Sequence, residues 1–272
     1  MHSGLPEMSQ YSLLLNGKNI MKLNLAFRFK LPVLFVAVSF LILTSFISAH
    51  AVPAGTVKTF MDAAYDGDAA RVQAMLAEGI DANLTNKKGM TALLMASWSG
   101  NEGVAKILLD KGANVNHHSE AGWTALYYAS QNGHEELVQM FLDKGASVDF
   151  QASNGGTALH IASQKGHLKV VKMLLAKGAN VDLQSKSGWT PLYMASLKGH
   201  KKIVKALLKK HAKTDIKSKD GMTALVAASK SGHPQVVKML TAINEEVGQR
   251  NKGNRPMEAK NIERMIRSAS AK

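Results

Sequence analysis

A threonine recurs at positions 91, 124, 157, 190 and 223, each 33 residues after the last, and a fixed set of neighbours travels with it. Leu93, Leu126, Leu159, Leu192 and Leu225 stand two residues on, and Ala96, Ala129, Ala162, Ala195 and Ala228 three further. Gly100, Gly133, Gly166, Gly199 and Gly232 close the first half of each unit. A unit of this length cannot bury its own apolar face, so units must stack and share a continuous core. That constraint predicts an all-α repeat solenoid, and aromatic residues at 6% are thin for a β-sandwich or barrel.

The chemistry of each position predicts a helix–turn–helix unit with a β-hairpin connection. Threonine caps the first helix by satisfying an orphan amide. Leucine and alanine fall at i and i+3 on one helical face, where the small alanine lets a neighbouring helix approach. The glycine ends the first helix in a left-handed conformation. The second helix carries an i, i+3, i+4 apolar stripe such as Val171, Leu174 and Leu175, and Gly112, Gly145 and Gly178 stop it. Gly89, Gly122, Gly155, Gly188 and Gly221, two residues before each threonine, supply the hairpin tips.

Thr190-Pro191-Leu192 and Thr157-Ala158-Leu159-His160, with Gly166-His167 through Gly178-Ala179-Asn180-Val181-Asp182, resemble the ankyrin-repeat signature over about residues 60–243. The resemblance implies stacked repeats whose hairpin tips and first helices line a concave surface that grips a partner protein. Leu94, Tyr127, Tyr193 and Val226 replace the signature histidine, which implies a weaker hydrogen-bond network in those four repeats. The domain reading is an N-terminal extension over 1–51 and a repeat domain over 52–243, with a capping repeat at 60–83 in which Lys58 stands at the threonine register. A basic tail follows over 244–272. Residues 244–255 read as a polar linker and Ile262, Met265, Ile266 and Ala269 as one face of a short amphipathic helix.

Residues 31–47, LPVLFVAVSFLILTSFI, are the only long apolar run. Lys18, Lys22, Arg28 and Lys30 precede it, and Ala49-His50-Ala51 follows. A basic region, an apolar stretch and a small-x-small site make a secretory signal peptide, with cleavage expected after Ala51. Met21 opens a conventional leader and is an alternative start to Met1. The layout is similar to exported ankyrin proteins of bacteria, with the repeats periplasmic or secreted. The competing reading is an uncleaved single-pass anchor, which also places the repeats on the non-cytoplasmic side.

The sequence carries no phosphate-binding loop, dinucleotide fingerprint or nucleophile elbow. It has no cysteine, which removes thiolate metal sites and cysteine nucleophiles. No catalytic residue, cofactor or metal site is assigned. His134, His167, His200 and His233 follow the period and read as turn packing, because successive repeats stand about 10 Å apart. His117-His118 reads as an exposed hairpin pair.

Function is then sought where the repeats differ. The residue before each threonine is Met90, Trp123, Gly156, Trp189 and Met222, and Trp98, Tyr127, Tyr128 and Tyr193 come from first helices. Exposed tryptophan and tyrosine are favoured interface anchors. The predicted partner-binding set is Met90, Trp98, Trp123, Tyr128, Trp189 and Met222, with Tyr127, Tyr193 and Trp98 alternatively packing between helices. Removing Trp123 and Trp189 together is expected to leave helical content and melting nearly unchanged while weakening partner capture.

Charge is the second asymmetry. Residues 52–150 hold 7 basic and 12 acidic side chains, residues 151–243 hold 16 and 3. The predicted basic patch is Lys198, Lys201, Lys202, Lys205, Lys209 and Lys210. It is either a solvated helix face or a surface for an acidic protein or an anionic membrane. Nucleic acid is disfavoured, since the chain reads as exported and Arg71 is the only arginine of the repeats. The resulting reading is a non-enzymatic, exported protein–protein interaction scaffold. The alternative is a membrane-anchored or membrane-surface protein whose lysine-rich repeats lie on anionic lipid.

Overall fold

The computed structural model describes residues 54–253 and Arg264. The apolar run 31–47, the Ala51 junction and the amphipathic segment 262–269 lie outside the described residues, Arg264 apart. Twelve helices occur among the described residues, in six consecutive pairs. They are α1 (Ala54–Asp66) with α2 (Ala69–Ala77), α3 (Ala92–Ser99) with α4 (Glu102–Asp110), and α5 (Ala125–Asn132) with α6 (Glu135–Asp143). Then follow α7 (Ala158–Lys165) with α8 (Leu168–Ala176), α9 (Pro191–Leu197) with α10 (Lys201–Lys209), and α11 (Ala224–Lys230) with α12 (Pro234–Gly253).

The five repeated threonines are N-caps. Each hydroxyl accepts from the backbone N–H three residues on, at Leu94, Tyr127, His160, Tyr193 and Val226. First helices then bury small residues such as Ala96, Ala129 and Ala162, all 0% exposed, and pack on one another more extensively than second helices do. Second helices bury the predicted stripe, as with Val170, Val171, Leu174 and Leu175 in α8. Phe60, Leu93, Leu126, Phe141, Leu159 and Leu192 share one core that runs the length of the stack. Fully burying each such side chain contributes roughly 1.5–3 kcal/mol.

Side chains stitch each pair to the one before. The His134 Nε2–H donates to Trp98 O at 3.1 Å, and His167, His200 and His233 repeat the bond to Gln131, Gln164 and Leu197 at 3.0, 3.0 and 3.1 Å. Each ring also lies over the glycine that ends the preceding first helix: a Cβ on Gly133 would stand 2.5 Å from His167 Nδ1. In the earliest such position Asn101 does the same work, donating to Ala64 O and Tyr65 O at 3.0 and 2.6 Å. The hairpin tips are tied likewise. Glu120 N–H donates to Lys88 O, Ser153 to Ala121 O, Lys186 to Asn154 O and Lys219 to Ser187 O, at 3.1, 3.0, 2.9 and 2.9 Å. The predicted β-hairpins are tight turns, each closed by a backbone bond such as Ser119 N–H to Trp123 O. Only isolated antiparallel bridges, Thr85–Thr91 and His118–Thr124, occur in them among the described residues.

The two ends depart from the sequence reading. Helix α1 begins at Ala54 and runs straight through the Lys58 register, so the first pair starts earlier than residue 60. At the far end α12 starts at Pro234, buries Val236, Met239, Leu240 and Ile243, and continues to Gly253. The stretch read as a linker from Asn244 is therefore helical over most of its length. No Gly-Ala stop follows Ile243, and nothing in Asn244–Gln249 forbids a helix.

The glycine–imidazole contact can be separated from backbone strain. Gly133 and Gly145 have the same left-handed conformation, φ +77° and +82°, but a Cβ on Gly145 meets nothing within 4 Å. Gly145→Ala should cost about 1–2 kcal/mol from conformation alone. Gly133→Ala should cost about 1–3 kcal/mol more, because it must displace the His167 ring. Urea unfolding of the two variants measures the difference.

Candidate protein-binding face

The residue before each threonine is aimed by its own turn. Ser119 Oγ accepts from Trp123 N–H at 3.3 Å, and Ser185 and Ser218 do the same for Trp189 and Met222 at 3.2 and 3.1 Å. Asn86 Oδ1 holds Met90 N–H at 3.1 Å. The variable side chains thus project from equivalent points of a rigid frame.

Between the first two described tips this frame opens a cleft of about 530 Å³. Trp98 from the C-terminal end of α3 and Trp123 from the second tip line it, with Tyr128 and Met90. Tyr128 packs against Trp98 with the rings tilted by 34° at a separation of 5.1 Å and meets Trp123 edge-on at 5.7 Å. Its hydroxyl reaches Met90 Sδ at 3.6 Å. Lys88 and Glu120, both exposed, complete the lining. Trp98 is 42% exposed, the most open of the three tryptophans.

Four of the six predicted binding residues, Met90, Trp98, Trp123 and Tyr128, therefore come together. Tyr128 differs from its predicted role as an exposed anchor. It is 2% exposed, because α5 turns it inward under Trp98 and Trp123, and it supports the cleft rather than projecting from it. Trp123 and Trp189 are half-buried and stack on the buried rings of Tyr127 and Tyr193 at 6.0 and 5.7 Å. Tyr127 and Tyr193 are interior, as the alternative reading had it, whereas Trp98 is not. Burial pushes the phenols of Tyr127, Tyr128 and Tyr193 above their ordinary values.

Trp189 and Met222 lie further along the stack. Trp189 lines a second, smaller cavity of about 100 Å³ with Tyr127, Asn154, His160, Gln164 and Met194. Gly156 leaves room for it at the tip where its neighbours carry Trp123 and Trp189. The indole Nε1 of Trp189 is buried with no hydrogen-bond partner. His160, alone at its register in being histidine, closes the capping box with Thr157, and its Nε2–H donates to Trp189 O at 2.9 Å.

The predicted basic patch occupies a different part of the unit. Lys201, Lys202, Lys205 and Lys209 belong to the second helix α10, whose Ile203, Val204, Leu207 and Leu208 are buried, while Lys202 and Lys209 are exposed. Lys198 and Lys210 flank that helix and are exposed. The tips carry their own lysines, Lys186, Lys217 and Lys219, all exposed. Lys88, Glu120 and Lys186 are absent from the sequence-derived set. Their signal was available, because the two residues before each hairpin glycine change in charge from repeat to repeat: Lys87-Lys88, Glu120-Ala121, Ser153-Asn154, Lys186-Ser187 and Lys219-Asp220. Of the hairpin pair expected to be exposed, His118 is exposed but His117 is half-buried, its Nε2–H donating to Gly89 O at 2.8 Å. Among the described residues no group of three or more His, Asp or Glu side chains is placed to hold a metal ion.

With this geometry in hand, comparison with known families gives the class. The sequence matches the family model described as ankyrin repeats (3 copies) over residues 60–152, 120–185 and 159–251. The chain belongs to the ankyrin-repeat family, whose members are generally interaction modules for proteins rather than enzymes. No curated protein sequence matches it.

Two outcomes follow from the packing. Trp123→Ala and Trp189→Ala should each lower stability by about 1–3 kcal/mol, because each removes a stacked, half-buried ring. Trp98→Ala should cost less than either, as judged by thermal melting. Burial holds the His160 imidazole below its ordinary value. The unfolded chain therefore takes up this proton as pH falls below about 6.5 while the folded chain resists it, so stability present above that pH is lost below it. His160→Tyr, copying Tyr127 and Tyr193, should lose less melting temperature than the parent between about pH 7 and about pH 5.

Proposed function

We propose that this chain is an exported, non-enzymatic scaffold that binds a protein partner through its hairpin tips and first helices. The observation that carries the reading is the cleft between Trp98 and Trp123. Its large rings come from two adjacent repeats, and it sits where the period varies rather than where it repeats. An exposed Trp98 and a half-buried Trp123 over the buried Tyr128 offer apolar contact at little entropic cost, because few torsions remain to be ordered. The export half of the proposal rests on the basic-apolar-small pattern before Val52.

A second reading has support from α10. Its exposed Lys202 and Lys209 lie outside the aromatic cleft, in a half of the domain with 16 basic and 3 acidic side chains. This surface suits an anionic membrane, reached by an uncleaved apolar segment, or the acidic side of a protein partner.

Fractionation with N-terminal sequencing of the native protein separates the two. A mature chain beginning at Val52 in a soluble exported fraction supports the scaffold. An intact N-terminus in the membrane fraction overturns that half and favours the anchored form. Reversing Lys202, Lys205 and Lys209 to Glu should slow partner association more at low salt than at high salt, and should not disturb helical content. An equal effect at both salt concentrations would show that these lysines do not steer.

A further inference from the structure

The two cavities on the tip side and the lysines beyond them form a ruler. The first cleft lies between the Lys88 and Glu120 tips, the second cavity between the Asn154 and Ser185 tips, and Lys186, Lys217 and Lys219 crown the last two tips. Backbone hydrogen bonds join each of these tips to the next, so the row is continuous and in register. With repeats about 10 Å apart, the second cavity stands about 20 Å from the first and the lysines about 30 Å from it. An extended peptide rises about 3.3 Å per residue, so those distances are about six and about nine residues.

We infer that the partner, on the scaffold reading above, presents an extended acidic segment with one bulky apolar anchor. An aromatic or branched aliphatic side chain enters the cleft between Trp98 and Trp123, over Tyr128. About nine residues away, carboxylates lie against Lys186, Lys217 and Lys219. The intervening backbone follows the tips, and a small side chain about six residues from the anchor passes the second cavity. That cavity has room for little more. The occupant's charge follows from complementarity. The two described lip charges at the cleft, Lys88 and Glu120, offset one another and favour a neutral anchor, whereas among the described residues the last two tips set three lysines against Asp220. A segment with its anchor and its carboxylates adjacent would meet only one of the two features.

Fluorescein-labelled fifteen-residue peptides on a Gly-Ser-Thr background test this directly, with the full chain and fluorescence anisotropy as the readout. One peptide carries Trp and, nine residues on, Asp-Asp; a second reverses their order; a third sets them three residues apart; two more carry either feature alone. The better of the two nine-residue arrangements should bind at least tenfold tighter than the close-spaced peptide and either single-feature peptide. Trp98→Ala should remove the gain from the peptide's Trp and leave the gain from its Asp pair. Lys186→Glu with Lys217→Glu and Lys219→Glu should do the converse, and the Asp gain should shrink with salt. Equal affinity at both spacings, or no binding by any peptide up to millimolar concentration, overturns the two-feature segment. Capture of the native partner that still depends on Trp98 would then leave the scaffold reading standing, whereas native capture indifferent to Trp98→Ala would remove that reading itself.

Discussion

An imidazole laid over a glycine, with its Nε2–H on a carbonyl of the preceding repeat, is the contact on which this stack depends. It recurs from His134 to His233, with Asn101 serving at the first junction. The two partners are complementary: the glycine lacks the Cβ that would exclude the side chain above it, and that side chain satisfies a carbonyl freed at the end of the first helix. The hairpin ladder from Lys88 to Lys219 ties the other edge of each repeat. From the second pair onward, units are thus held to their neighbours at separated points that include the junction between the helices and the tip. A unit alone would leave those groups unpaired and its apolar stripe in water.

This double attachment frees the rest of the period to vary. The tip residues contribute backbone to the ladder, so their side chains are not consumed by it, and the residue before each threonine is fixed through its backbone N–H and C=O. Trp98 and Trp123 can be placed side by side without altering the frame that presents them. The same logic separates the two notable surfaces. The aromatic cleft is built on tips and first helices, and the densest run of lysines belongs to α10 and its flanks. One domain therefore carries an aromatic cleft and a lysine-rich helix face on different parts of its surface.

The fold was legible because the sequence states it several times over. The threonine caps, the glycine stops and the apolar stripes each stand in the predicted place, since each is a local rule acting on a few residues. Burial was less legible where it depends on a neighbouring repeat. Tyr128 looks like an exposed anchor in a single unit, and only the packing of Trp98 and Trp123 over it makes it interior. Trp123 and Trp189 likewise appear free until Tyr127 and Tyr193 are found stacked beneath them. The grouping of Met90 with Trp98, Trp123 and Tyr128 follows from adjacency of repeats and was implicit in the period. The division of the lysines between α10 and the tips needed the turn geometry. Beyond Ile243 the periodic pattern ends, and with it the means of reading where α12 stops, since a polar helix and a polar linker have similar compositions.

The most direct measurement is site-specific photocrosslinking in cells producing the full chain, with a photoreactive amino acid at Trp98, at Lys186 or at Lys202. If the tips and first helices are the binding face, the first two positions should trap the same protein partner. Position 202, on the second helix, should trap it weakly or not at all. A partner trapped from position 202 and from neither of the others would place the interface on the second-helix side and contradict the account.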